Sequence, residues 1–98
     1  DLSEKRAFYE ALGYAGGKEV LPILRDALNR RSLFKRTQAD ELRACACEAL
    51  GWIGGQEARE LLTAQIQDRS ALVRTAAQSG LRRIAGDRGA ESITKEAA

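Results

Sequence analysis

Leu42–Gly55 reads LRACACEALGWIGG, and two weaker copies of it lie on either side. Glu4–Gly17 reads EKRAFYEALGYAGG, and Val73–Gly86 reads VRTAAQSGLRRIAG. In the middle copy Leu42, Cys45, Ala46, Ala49, Leu50 and Ile53 recur at helical spacing and make one apolar face. Superposing the copies puts Leu12, Leu50 and Leu81 at one position, 38 and 31 residues apart. A period in this range, with a second helix after each copy, predicts an all-α solenoid of about three helix pairs. Each pair has too little apolar area to stand alone and leans on the next. Small residues at Ala7/Cys45/Ala76 and Ala11/Ala49/Gly80 predict close helix approach.

The first helix is expected to be capped by Asp1, with Glu4 as its capping-box partner. It turns Ala7, Phe8, Ala11, Leu12 and Ala15 inward and stops at Gly16-Gly17, by left-handed glycine. A second helix starts near Lys18, with Pro22 in its first turn. It turns Val20, Leu21, Ile23, Leu24, Ala27 and Leu28 inward. Asn29–Asp40, NRRSLFKRTQAD, breaks the rhythm and reads as a basic loop. The third helix is expected over about Asp40–Ile53, ended by Gly54-Gly55. The fourth runs over about Gln56–Gln67, with Ala58, Leu61, Leu62 and Ile66 inward. The fifth runs over about Ser70–Ala85, with Val73, Ala76, Ala77, Gly80, Leu81 and Ile84 inward. Beyond Gly86 only Ile93 has a core character, and residues 89–95 read as a weak or frayed helix. The whole is one domain, 1–98, with helix pairs over about 1–30, 40–68 and 70–96.

Sixteen basic and fourteen acidic side chains leave a formal charge of +2, so the balance of charge names no partner. No apolar run approaches the ~20 residues that span a bilayer. The chain has no histidine, the commonest general base and metal ligand. It has no methionine either, and we expect it to be a piece of a longer protein. Cys45 and Cys47 point about 200° apart on a helix, too far round to bridge each other or share a metal. They read as helix-filling thiols of a reducing, cytoplasmic compartment, with Cys47 the more exposed.

The unit resembles a HEAT repeat, in particular the short HEAT-like type of phycobiliprotein lyases. Leu42-Arg43 and Val73-Arg74 match that type's Val-Arg step, and Ala49-Leu50-Gly51-Trp52-Ile53-Gly54 its helix end. Glu57-Ala58, Leu62, Ile66 and Asp68 match its second helix. The first copy departs, with Glu4-Lys5 at the Val-Arg step. The resemblance implies a right-handed α-α solenoid. It also implies a ladder of hydrogen bonds between units, carried here by Asp68 and Arg74, with Thr37 in the aspartate's place at the first junction. Fold alone does not assign function, and solenoids scaffold many activities.

On this reading the chain is a protein–protein interaction scaffold, contacting another protein or a neighbouring domain. Tyr14, Trp52 and Arg83 share one repeat position, so stacked units align them along one edge. Such a trio suits a protein-contact hot spot; the alternative is that the rings cap the core. Arg25, Asn29, Arg59, Thr63 and Gln67 on the second helices line a binding groove or form a plain solvated face. Arg30, Arg31, Lys35 and Arg36 offer phosphate contacts to nucleic acid, as some HEAT-like proteins do, or belong to a solvated loop plugged by Leu33-Phe34. Acidic side chains elsewhere argue against a DNA-tracking stripe. A third reading is a subunit of a phycobilin-lyase-like or chaperone-like protein. No nucleophile–base pair, phosphate-cradling loop or metal cluster is legible, so neither enzymatic activity nor a cofactor is expected.

Overall fold

The computed structural model describes residues 2–29 and 36–97, with side-chain surroundings for 3–14, 16–29 and 36–86. Among these residues five α-helices follow one another: α1 (Leu2–Ala15), α2 (Leu21–Asn29), α3 (Arg36–Ile53), α4 (Gly55–Gln65) and α5 (Ala71–Ala97). A 3-10 turn, Lys18–Val20, leads into α2. No strand occurs among the described residues. Among the described residues the helices form an α-α solenoid of two helix pairs followed by one long helix.

Helix α3 is the centre, and α1, α2, α4 and α5 all pack on it. That explains its composition. Ala44, Ala46, Cys47, Ala49, Leu50 and Gly51 are all buried, which covers most of its circumference. Leu24, Leu50 and Leu62 are fully buried and join one core with Val73, Ala77 and Ile84. Burial of each such leucine contributes roughly 1.5–3 kcal/mol. Leu12 and Leu81, at the repeat position of Leu50, are half-buried and packed against the same core.

The step between neighbouring units is set by glycine. A Cβ on Gly13 would stand 2.9 Å from the Ala49 Cα, and one on Gly51 would stand 2.7 Å from the Gly80 Cα. Gly13 and Gly51 are equivalent positions, as are Ala49 and Gly80. The α1–α3 and α3–α5 contacts are therefore the same contact repeated.

Several element boundaries differ from the sequence expectation. Asn29–Asp40 is not wholly a loop: α2 runs through Asn29, and α3 begins at Arg36 rather than Asp40. Its Leu33-Phe34 plug lies outside the described residues, as does the cap expected of Asp1. Helix α4 is shifted, covering Gly55–Gln65. Helix α5 does not end near Ala85 but continues to Ala97 without a break. A lone Gly86 in a helix costs about 1 kcal/mol, too little to stop it. The tandem Gly54-Gly55, with φ of 72° and 88°, does end α3, because only glycine takes that conformation freely. Gly16-Gly17 ends α1 differently: Gly17 has φ −119°, and Gly16 leaves room for the Val20 side chain, 2.7 Å from where its Cβ would stand. The inward role expected of Ile93 falls on a side chain outside the described set.

The expected inward face of α1 is also corrected. Ala7, Phe8 and Ala11 are exposed, Phe8 by 53%, and so is Ile23 on α2. On α3 the equivalent Cys45, Ala46 and Ala49 are buried, with α1 packed on that helix.

Candidate functional site

Helix register brings three exposed or half-exposed side chains together along one edge. Tyr14 closes the last turn of α1, Trp52 the last turn of α3, and Arg83 lies at the matching height on α5. The Tyr14 and Trp52 ring centroids are 4.7 Å apart at 32°. The Arg83 guanidinium carbon lies 3.9 Å from the Trp52 ring centroid, within cation–π range. Tyr14 remains 69% exposed and Trp52 44% exposed. The stack thus forms a continuous aromatic and cationic rib across three helices, with both Tyr14 and Arg83 in contact with the indole.

The second-helix candidates are placed less tightly. Arg25, Asn29, Thr63 and Gln67 are exposed and Arg59 is half-buried. The Thr63 hydroxyl donates to the Arg59 carbonyl oxygen at 2.8 Å, a bond within α4. Of the basic stretch, Arg36 is an exposed first residue of α3, while Arg30, Arg31 and Lys35 lie outside the described residues.

Arg43 was read from sequence only as half of a repeat motif, and its burial was not foreseen. It is 1% exposed. Its Nη1 donates to Asp68 Oδ1 at 2.7 Å and its Nη2 to Asp68 Oδ2 at 3.1 Å, a bidentate pair. The same Nη2 donates to Asp40 Oδ1 at 2.6 Å. Burial alone would lower its pKa, but the bonds and charges of Asp68 and Asp40 outweigh that and raise it, so the guanidinium stays protonated. Asp68 Oδ2 also accepts from the Ser70 amide at 2.9 Å, and the Asp68 carbonyl oxygen accepts from Arg74 Nη1 at 2.7 Å. The expected Asp68–Arg74 rung is present through that carbonyl, with Arg43 on the carboxylate. At the first junction Thr37 is an exposed residue of α3, and Asp40, which pairs with Arg43, lies three residues before it on that same helix. The cluster is a buried cross-tie between α3 and the α4–α5 turn.

Cys47 is fully buried, a correction to its expected exposure, because α3 is covered on nearly every side. Burial pushes its thiol up to about 12, and burial raises Cys45 as well, so neither is a thiolate at neutral pH. Both are free thiols. Among the described residues no group of three metal-ligating side chains occurs. Among them, too, no helix is long and apolar enough to cross a membrane.

A family model described as HEAT repeats matches residues 3–82. No curated protein and no solved structure matches the chain.

Proposed function

The chain belongs to the HEAT-repeat family, and from that membership we propose that it is a scaffold whose Tyr14–Trp52–Arg83 rib contacts another protein or a neighbouring domain. HEAT repeats generally serve as protein-interaction scaffolds. The observation that carries the reading is the rib itself. Its two rings are prepaid in conformational entropy, because stacking already fixes them, yet they stay open to solvent. Aromatic and arginine anchors are the residue types that dominate binding energy at protein contacts. Arg25 and Arg59 on the second helices are secondary contact candidates. Two free thiols support a reducing compartment such as the cytoplasm.

The test is quantitative capture from an extract of the source cells, comparing the native chain with Trp52→Ala. Loss of the captured partner with a melting temperature lowered by no more than about 5 °C supports the reading. A large fall in melting temperature with capture unchanged would make the indole a core cap.

A further inference from the structure

We infer that the strip of α3 left open between α1 and α5 takes a basic side chain, an arginine above all, from the protein that contacts the rib. From Arg43 to Trp52 every residue of α3 is buried except Glu48 and Trp52, which lie one turn apart on one face. One turn further back, Ala44 and Cys45 floor a depression of about 270 Å³. Arg6 of α1 and Leu72 of α5 wall it, and Glu41 and Glu48 bound it along α3. Both α1 and α5 pack on α3, so this strip opens in the interior of the array and not at either end.

The depression has an apolar part and a charged part. Ala44 and Cys45 are buried nearly to their tips, and Leu72 stays 49% exposed on α5, at the repeat position where α3 has Glu41. Glu41 is half-buried and Glu48 exposed, and among the described residues neither is ion-paired. Arg6 is a cation on the wall, but carboxylates outnumber it. Besides burial, which raises it most, the Cys45 thiol feels the charges of Arg6, Glu48 and Glu10, so Glu10 adds a third acid beside the depression. A long basic side chain suits both parts, its methylenes on the apolar floor and its head among the carboxylates. The planar guanidinium, with five donors, can serve Glu41 and Glu48 together, which suits it better than a compact ammonium.

This inference rests on the rib being a protein contact and specifies what the partner brings to it. Trp52 lies eight residues beyond Ala44, about 12 Å along the helix. An extended segment covers that distance in roughly three to four residues. A partner segment with its arginine in the depression therefore sets an apolar side chain three or four residues away onto the indole.

Selection of a random dodecapeptide library, displayed on phage, against the full chain tests this, with calorimetric titration of the enriched peptides. The enriched sequences should carry an arginine three or four residues from an apolar side chain. Replacing that arginine with citrulline, which keeps the shape and loses the charge, should weaken binding at least about tenfold. Glu41→Gln combined with Glu48→Gln should do the same while leaving the circular dichroism spectrum and melting temperature unchanged, since neither side chain is buried or paired. Binding lost with Trp52→Ala but kept by the double glutamine variant would overturn the proposal and leave the rib standing. Binding lost in the double glutamine variant but kept with Trp52→Ala would uphold the basic-side-chain site and overturn the rib as a contact. No enrichment, or enriched sequences free of basic residues, would overturn the proposal.

Discussion

At the α1–α3 junction Gly13 lies on Ala49, and at the α3–α5 junction Gly51 lies on Gly80. The geometry is one step used twice, but the two junctions differ in what reinforces it. The second has Leu50 fully buried beneath it and the Arg43–Asp68 cross-tie beside it, with Arg74 bonded to the same turn. The first has a half-buried Leu12, an exposed Lys5 where Arg43 and Arg74 stand, and an α1 whose outer face is bare. Stability in a solenoid is the sum of unit and neighbour terms, so the array is stiffer at α3–α5 than at α1–α3.

The comparison is broken most severely at its centre. Leu50→Ala should cost about 4 kcal/mol by denaturant unfolding, because the residue is fully buried and the cavity cannot collapse. Leu12→Ala, half-buried, should cost about half as much. Arg43→Met should cost about 3 kcal/mol, since it removes the guanidinium that neutralises two part-buried carboxylates, Asp68 and Asp40. Adding Asp68→Asn to Arg43→Met should recover part of the loss, whereas Lys5→Met at the equivalent position should stay within about 0.5 kcal/mol. Gly51→Ala sets a gain in helix propensity of about 1 kcal/mol against overpacking of up to about 3 kcal/mol. With backbone only 2.7 Å away the overpacking wins, and the melting temperature should fall more than for Gly13→Ala.

The last effect is one of pH and is confined to the alkaline range. The Cys47 thiol is pushed up to about 12 in the folded chain, against an ordinary value near 9.0. Between those values the unfolded chain has released a proton that the folded chain retains. Stability is therefore full below about pH 9 and declines as pH rises toward 12. Cys47→Ala should flatten that alkaline limb, whatever it does to stability at neutral pH.

What the sequence made legible was position within the repeat. Pairing Leu12 with Leu50 and Leu81 locates the core, and pairing Tyr14 with Trp52 and Arg83 locates the rib. What it hid was coverage. Periodicity says which side chains share a face, not whether a neighbour lies on it. Phe8 and Ile23 carry a core pattern but are exposed, and Cys47 lies off the inward stripe of α3 yet is sealed because helices surround it. The burial of Arg43 could have been suspected from the Leu42-Arg43 and Val73-Arg74 steps, since a repeated arginine beside an apolar residue needs a repeated acid. The continuation of α5 was hidden because the reading gave Gly86 the stopping power that the Gly54-Gly55 pair has.

Native-state hydrogen exchange, residue by residue, bears most directly on the unequal junctions. At a concentration where the chain is monomeric, the amides of α1 should open with a free energy clearly below that of α3 and of α5 before residue 86, so that α1 detaches first while the Gly51–Gly80 contact holds. Equal protection of α1, α3 and that part of α5, all lost in one global event, would contradict it.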